Sequence, residues 1–252
     1  MSNILVRRRQ FESIPVRPDA LSGIAIWYDA SDLSAVTKDG SNKVSQLSDK
    51  SGRGAHAVQA TGSLQPTWIS DGINGLPAVV GDGYDDFMAF SMPDTGLTHS
   101  FYVVAAFDTT IGLMPQYSGF ITGANVSTHQ VKMTDTSANP AVGMSVPFLT
   151  DYVLHPANTS FNIKSGIPAV YSLCRDAGSF WSRWTWGEVV RNVATSGLHL
   201  TQGTTTNKLF HGWTGVPASF RISELVCYSR NLNSYEESRL SAYFKSRYGV
   251  WI

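Results

Sequence analysis

Charge is scarce in this 252-residue sequence, because charged residues make up 15% of it and 19 basic side chains balance 19 acidic ones. General nucleic-acid binders need a net basic surface, so we expect no nucleic-acid partner. Long apolar runs are also missing: no segment approaches the ~20 apolar residues that a membrane helix requires. The opening MSNILVRRRQ is basic and then polar, unlike a signal peptide. We therefore expect a chain made in a cytoplasm, without a membrane partner.

Cysteine is nearly absent too. Cys174 and Cys227 each lie in an apolar, strand-like run. Two buried free thiols are the favoured interpretation. A disulfide between neighbouring strands stays open, since two cysteines do not establish an oxidising compartment.

The motifs of several enzyme classes are missing as well. The six histidines are dispersed without metal-ligand spacing, and the chain has no nucleophile elbow, phosphate loop or dinucleotide fingerprint. A glycosidase needs two carboxylates flanking the scissile bond, ~5–5.5 Å apart in retaining enzymes. Glu188 and Glu224 each stand alone in a predicted strand. We therefore expect no catalytic residues and no enzyme.

What the sequence does contain is typical of an all-β protein. The apolar fraction of 42% is sufficient for a sizeable core, and Gly, Ser, Thr and Asn punctuate the chain as turns require. Runs rich in β-branched and aromatic residues predict strands. The predicted strands are 24–30, 100–108, 119–122, 142–148, 160–163, 168–174, an alternating segment at 180–190, and 222–228.

One amphipathic helix is predicted at the end of the chain. Ser234 is the expected N-cap, with Glu237 reaching back to complete a capping box, and Gly249 stands at a helix C-cap position. The apolar residues at helical spacing on one face are Leu240, Tyr243 and Phe244. A single helix after many strands predicts a two-sheet antiparallel jelly-roll sandwich with the helix against one edge.

Residues 1–20 differ from the rest and predict an extended basic arm ahead of a domain at 21–252. Pro15 and Pro18 fix φ and disfavour helix before them. The alternative is a disordered tail with incidental charge. The residues that we expect to dock this arm on a partner protein are Arg7, Arg8, Arg9, Phe11, Ile14 and Arg17.

Several segments in order resemble the LamG-like jelly-roll family of the concanavalin A-like lectin/glucanase superfold. In residues 23–60 the matching motifs are Trp-Tyr-Asp-Ala and Asp-Lys-Ser-Gly. In residues 65–88 the matching motifs are Pro-Thr-Trp, Asn-Gly-Leu-Pro-Ala-Val and an acidic glycine-rich turn. The segment 184–190 takes the place of a strand–turn–strand, with Trp186-Gly187 where the family usually has Asn-Gly. The closing strand and helix complete a likeness over roughly residues 20–250.

The resemblance implies a binding or structural role, since this pattern is frequent in phage virion proteins and in bacterial surface or polysaccharide-associated proteins. Our first hypothesis is a non-enzymatic phage virion protein: a capsid decoration or cement protein, a head fibre or a tail component. It would be anchored by its arm as a homo-oligomer within a larger assembly.

The alternative is a carbohydrate-binding module for cell-surface polysaccharide. A polysaccharide lyase or glycoside hydrolase ranks third. Enzymes of the superfold usually carry Glu-x-Asp-x-x-Glu on one strand, which this sequence lacks, and YFKSRYGVW at 243–251 resembles a lyase motif only superficially.

Aromatic and acidic residues supply the candidate binding positions. Trp27 and Trp68 lie in segments that we expect to be core. Exposed aromatic rings stack on sugars and anchor interfaces, so other tryptophans are candidates for either role. These candidates are Trp181, Trp184, Trp186 and Trp213. Calcium is possible at the acidic turn, through Asp82, Asp85 and Asp86, although such residues are more often turn formers. We expect no other cofactor.

Overall fold

A computed structural model describes residues 13–93, 98–107, 118–122, 130–136, 139–142, 168–176, 179–184, 191–194, 206–211 and 220–250. These residues form sixteen strands and one α-helix, α1 (Ser234–Tyr248), with 3₁₀ turns at Pro18–Ala20, Leu33–Ala35 and Gly62–Leu64. The strands are β1 (Ile24–Asp29), β2 (Val36–Lys38), β3 (Val44–Leu47), β4 (Ala57–Val58), β5 (Thr67–Ile73), β6 (Leu76–Val80), β7 (Met88–Ser91), β8 (His99–Phe107), β9 (Ser118–Thr122), β10 (Gln130–Thr136), β11 (Asn139–Val142), β12 (Ala169–Asp176), β13 (Ser179–Trp184), β14 (Arg191–Ala194), β15 (Thr206–Leu209) and β16 (Phe220–Tyr228).

The strands form two antiparallel sheets, which confirms the predicted all-β sandwich with a C-terminal helix. Sheet A has the order β14-β13-β12-β8-β16-β6-β5, with β1 also paired to β16. Sheet B has the order β11-β10-β9-β15-β7-β4-β3-β2. Neighbours in these orders are often distant in the chain, so the two sheets depend on long-range pairing.

Strand β16 is the centre of sheet A. It pairs with β8 along its whole length, while its other edge is shared by β6, at Arg221 and Ile222, and by β1, at residues 224–228. Its side chains are buried on both faces, between the sheets on one and beneath α1 on the other, which explains the nearly continuous apolar run that predicted it. The predicted bounds at 222–228 and 100–108 are off by one or two residues, since the strands are Phe220–Tyr228 and His99–Phe107.

Other predicted strands have mixed outcomes. The segments at 119–122 and 168–174 correspond to β9 and β12, and the alternating segment corresponds to β13 in its first part. The segment at 142–148 meets β11 only at Val142, and the segment at 160–163 lies outside the described residues. Strands such as β2 and β4, three and two residues long, are too short for alternation to reveal.

Two apolar layers follow from the alternation of side chains across sheet A. Val103 and Leu225 point between the sheets, where they pack with Tyr28 and Phe90. Cys227 is buried in the same layer, whereas the Cys174 side chain lies outside the described part, so the interpretation as two free thiols stays a prediction. The residues of β1, β8 and β16 on the opposite face form a second layer beneath α1: Trp27, Tyr102, Val104, Val226 and Tyr228.

Helix α1 therefore lies across the outer face of sheet A, and the predicted position against an edge is wrong. Leu240, Tyr243 and Phe244 are buried in the second layer, as their spacing predicted. An apolar helix stripe stabilises the fold most where it covers a complementary apolar face, and β8 and β16 supply that face at the centre of the sheet. No helix within the described residues is both long and apolar enough to cross a membrane.

The ends of α1 correct one prediction and confirm another. The N-cap is Asn233, whose side chain accepts from Glu236 N while Glu236 reaches back to Asn233 N, so the box predicted at Ser234 and Glu237 is one residue out of register. Both pairs have capping-box spacing. Glu236 is held by a bidentate ion pair with Arg230, and Glu237 is buried, accepting from the Tyr102 hydroxyl. Gly249 is the C-cap, with φ of 68°.

The described part of the N-terminal segment, residues 13–20, packs along α1. Val16 and Pro18 are buried, and Val16 N donates to Arg239 O at 3.2 Å. Arg239 Nε donates to Ile14 O, and Ser13 Oγ to Ser238 Oγ. These residues thus contribute to the layer between α1 and sheet A.

Candidate functional site

Glu224 is the most unusual polar residue of the core: it is fully buried on the helix-facing side of β16. Its Oε1 accepts hydrogen bonds from Trp27 Nε1 at 2.7 Å and from Tyr243 OH at 3.1 Å. Its Oε2 accepts from Tyr248 OH at 2.8 Å and shares the Tyr243 hydroxyl at 3.2 Å. Three neutral donors from β1 and α1 thus converge on one carboxylate of the central strand.

A second buried carboxylate, Asp29 at the end of β1, lies beside it. Arg247 Nη2 donates to both Asp29 oxygens, at 3.0 and 2.9 Å, and Lys50 Nζ donates to one at 3.0 Å. Arg247 Nε is 4.0 Å from Glu224 Oε2. Arg247 is therefore closer to Asp29 than to Glu224, and Lys50 pairs with both Asp29 and Asp32. We call the following seven residues the buried carboxylate cluster: Trp27, Asp29, Lys50, Glu224, Tyr243, Arg247 and Tyr248.

The electrostatics of this cluster resemble those of a catalytic site, but its accessibility does not. The pKa of Glu224 is raised to about 7, chiefly by burial and next by the Asp29 carboxylate, with Arg247 opposing the shift. Burial and then Glu224 also raise the pKa of Tyr243 and Tyr248. Perturbed pKa values are typical of functional groups in clefts. Because the Glu224 side chain is fully buried beneath α1, the cluster joins the helix to the sheet.

The sequence analysis treated Glu224 as an isolated carboxylate and missed this cluster. The available signal was a glutamate within an otherwise apolar run, since a buried charge needs partners. Those partners are 197 residues away at Trp27 and about 20 residues away on α1. Only the tertiary fold brings the three segments together.

The Asp-Lys-Ser-Gly loop that carried part of the family resemblance has a structural role. Asp49 accepts hydrogen bonds from the backbone amides of Trp27 and Ser51, both at 2.9 Å, and from Ala55 N at 3.1 Å. Ser51 Oγ adds a fourth, at 2.7 Å. This carboxylate thereby fixes the loop against β1 and places Lys50 next to Asp29.

The acidic turn, residues 81–87, links β6 of sheet A to β7 of sheet B. Asp82 Oδ1 accepts from the backbone amides of Tyr84, Asp85 and Asp86, at 2.7, 3.1 and 3.2 Å. Asp86 Oδ2 in return accepts from Asp82 N at 3.1 Å. Two of the three predicted calcium ligands are thus turn formers, because their oxygens satisfy backbone donors that the turn leaves open.

Calcium fits this turn poorly. Ligand oxygens of Asp82, Asp85 and Asp86 all lie within 4.8 Å of one another. Calcium prefers six to eight oxygen ligands, however, and Lys43 Nζ already lies 3.7 Å from Asp86 Oδ1. Asp86 is 1% exposed, and its pKa is raised to about 6, chiefly by burial and next by Asp82. These residues therefore fit a hydrogen-bonded turn better than a calcium cage.

The outer face of sheet B differs from that of sheet A, since no described element covers it. Met88, Phe90 and Leu209 point into the interior, so the residues between them point outward. Val58, Ala89 and Lys208 are register neighbours on β4, β7 and β15. We call the outward side of these three strands the open face. Val58 is 44% exposed there.

The acidic turn borders the open face. Lys208 Nζ lies 4.3 Å from the centre of the Phe87 ring, and the rings of Phe87 and His211 meet edge to face at 6.0 Å. Tyr84, at the tip of the turn, is 83% exposed. The acidic turn thus carries an exposed aromatic ring and two exposed acidic residues, Asp82 and Asp85. The sequence analysis singled out these acids and overlooked the tyrosine.

The other predicted site residues are only partly described. Ile14 is 76% exposed and Arg17 pairs with Asp19 at 3.1 Å. In the register of β13 with β12, Trp181 pairs with Cys174 and Trp184 with Tyr171. Six residues lie outside the described part: Arg7, Arg8, Arg9, Phe11, Trp186 and Trp213. The core prediction holds for the remaining pair, since Trp27 is buried and Trp68 packs against the interior.

Comparison with known proteins identifies similar folds. No protein-family model matches the chain, and no curated protein matches it. Among solved structures it is similar to domain 4 of AbnA, an extracellular GH43 arabinanase from Geobacillus stearothermophilus, solved in complex with arabinotriose. The TM-score is 0.57 at 15% identity, over 86% of this chain and 96% of that domain.

Two further structures are similar over smaller shares of their own length. Trypanosoma rangeli sialidase matches with a TM-score of 0.55 and 12% identity, over 93% of this chain but 36% of the sialidase. The binding domain of Paraclostridial Mosquitocidal Protein 1 matches with a TM-score of 0.58 and 11% identity, over 90% of this chain and 53% of that one. At these identities the likeness establishes the fold alone, a two-sheet antiparallel β-sandwich. The narrower LamG-like phage type stays a prediction.

Proposed function

We propose that this chain is a carbohydrate-binding β-sandwich domain without enzymatic activity, which holds its ligand where the acidic turn meets the open face. The observation that carries the proposal is the exposed ring of Tyr84, which precedes the exposed Asp85 in the acidic turn, at the border of a face that no described element covers.

This combination suits a sugar chemically. The faces of a sugar ring carry C–H groups that pack on an aromatic ring, and its hydroxyls donate hydrogen bonds to carboxylate oxygens. The exposed Asp85 carboxylate in the turn and the Lys208 amine next to Phe87 provide an acceptor and a donor beside the open face. A shallow, exposed site of this kind favours binding over chemistry, because it does not exclude water.

The solved structures support the hypothesis of carbohydrate binding. The arabinanase domain with arabinotriose has nearly the same extent as this chain, and the sialidase match is confined to about a third of that enzyme. A fold shared with separate domains of carbohydrate-active proteins is consistent with a binding module, although fold alone does not assign function.

The carboxylates of the described residues argue against glycoside hydrolysis. Glu224 and Asp29 are buried beneath α1. Asp82, Asp85 and Asp86 belong to one tight turn, where Asp82 and Asp86 hold backbone amides. Since the oxygens of Asp82 and Asp86 already accept from these amides, the turn does not offer the two available carboxyl groups that both hydrolase mechanisms require.

Titration calorimetry with a panel of neutral and acidic oligosaccharides, arabinotriose among them, tests the proposal. We expect one class to bind, and Tyr84→Ala to weaken it at least tenfold, about 1.4 kcal/mol. Tyr235→Ala is the matched control, because Tyr235 is 66% exposed on α1, away from the open face. Absence of binding across the panel refutes the function, and full binding by Tyr84→Ala refutes the site.

The tryptophans predicted as sugar platforms can be tested in the same titration. Alanine variants of Trp181, Trp184, Trp186 and Trp213 separate their roles from that of Tyr84. His211, two residues before Trp213, contacts Phe87 of the acidic turn, so Trp213 is the first of the four to test.

The phage virion role remains the second hypothesis, and none of the solved structures reported above supports it. Its test is the native mass of the full chain and of a chain that begins at Ser13, measured by light scattering. This cut leaves the buried Val16 and Pro18 in place. A defined oligomer that is lost on truncation supports the anchoring role of residues 1–12, and equal monomers contradict it.

A further inference from the structure

The contacts of Glu224 point to a pH-dependent interface between α1 and sheet A. We call this interface, which contains the buried carboxylate cluster, the joint. We propose that this joint is a proton-linked latch, in which Glu224 holds a proton while α1 is closed on the sheet and releases it when α1 opens.

The first argument is that the cation nearest to Glu224, Arg247, is shared with Asp29 and lies closer to Asp29. From β1 it faces the Trp27 indole and the Asp29 carboxylate, and from α1 it faces Arg247 and two tyrosine hydroxyls. Arg247 is committed to Asp29, with Nη2 at 2.9 and 3.0 Å from its oxygens, and approaches Glu224 no closer than 4.0 Å with Nε. Lys50, from the loop after β3, contacts Asp29 and Asp32.

The second argument is that a protonated Glu224 fits the same contacts. A tyrosine hydroxyl can accept a hydrogen bond as well as donate one. Tyr248 can therefore accept from a protonated Oε2 at the present 2.8 Å, while Trp27 and Tyr243 continue to donate to Oε1. Closure thus requires no negative charge on Glu224, whereas burial of such a charge is costly.

The sign of the pH dependence follows. When α1 opens, Glu224 meets water and its pKa returns from about 7 toward its ordinary value of 4.5. The closed form then binds more protons than the open form between these values. The contribution to closure is full below pH 4.5 and is lost as the pH rises through 7. A shift from 4.5 to about 7 allows up to about a 300-fold rise in the open population.

Hydrogen exchange of α1 in the full chain, followed by mass spectrometry from pH 5 to 8 and corrected for intrinsic rates, tests the latch. We expect the open population to increase about 70-fold across this range in the wild type, because pH 5 to 8 covers most but not all of the shift, and to stay nearly constant in Glu224→Gln. Glu237→Gln is the matched control, since Glu237 is also buried and bonded to a tyrosine hydroxyl. It should follow the wild type.

A flat wild-type profile, or an unchanged rise in Glu224→Gln, overturns the proposal. If Glu224→Gln fails to fold, the proposal is tested in the wild type by measuring the ¹³C chemical shift of the Glu224 carboxyl against pH. A titration midpoint near 7 supports the latch, and a midpoint below 5 overturns it.

Discussion

The outer faces of the two sheets arise from the same alternation of side chains. One is covered by a helix, and the other is covered by no described element. That of sheet A carries Tyr102, Val104, Val226 and Tyr228 and is covered by α1. That of sheet B carries Val58, Ala89 and Lys208 at register neighbours, with no large aromatic residue among these three, and no described element covers it. A large apolar face is stable only when another element covers it and removes it from water. A face without large apolar side chains can remain exposed to water and available to a ligand.

The polar groups of the two faces differ in the same way. Beneath α1, Glu224 and Asp29 are buried, and every contact they make is internal to the fold. Beside the open face, Tyr84, Asp82 and Asp85 are exposed. We infer that the covered face serves stability and carries the proposed proton linkage, and that binding belongs to the open face.

The largest expected effect is on the covered face. Phe244→Ala removes a fully buried ring between α1 and sheet A and should lower the free energy of unfolding by about 4 kcal/mol, through lost burial and the cavity left behind. Urea denaturation measures this. Tyr235→Ala, on the exposed side of the same helix, should change stability by less than about 0.5 kcal/mol. Equal losses in the two variants would contradict the packing described for α1.

A smaller effect is expected at the start of α1. Asn233→Ala removes the side chain that accepts from Glu236 N, and should cost about 1 kcal/mol. Ser234→Ala is the control for the box predicted one residue later, and should be nearly neutral. Thermal or urea denaturation distinguishes the two N-cap positions. A greater loss of unfolding free energy in Ser234→Ala than in Asn233→Ala would show that Ser234 is the N-cap, as the sequence predicted.

The smallest effect is expected beside the open face. Because Asp82 and Asp86 hold backbone amides and Lys43 lies near Asp86, millimolar calcium should leave the melting temperature within about 1 °C of its value in chelator. Differential scanning fluorimetry makes the comparison. A clear upward shift that Asp85→Asn abolishes would show instead that the turn binds the ion.

The elements that could be predicted from the sequence are the long ones with a strong local pattern. The strands β8 and β16 are dense in β-branched and aromatic residues, and α1 shows helical spacing and a glycine C-cap. The strands β2 and β4 were not predicted, because three or two residues carry no period and such strands form only when a neighbour supplies hydrogen bonds.

The candidate sites were less predictable. Asp82, Asp85 and Asp86 stood out because they are close in sequence, and they do lie together. Glu224 did not stand out as part of a cluster, because its partners lie at Trp27 and on α1. The N-cap register was missed for a related reason: two pairs have the same spacing, and the contacts of Arg230 and Tyr102 decide between them.

By itself, the sequence determined the all-β class, the central strands and the closing helix, since composition and periodicity are local properties. The tertiary structure alone decided that α1 covers a face of sheet A, because strand order and sheet pairing come from contacts distant in the chain. It also decided that the Glu224 side chain is buried while the Tyr84 ring remains exposed to solvent. Solvent exposure depends on what else folds over a residue, and this sets both the pKa of a carboxyl and the availability of a ring.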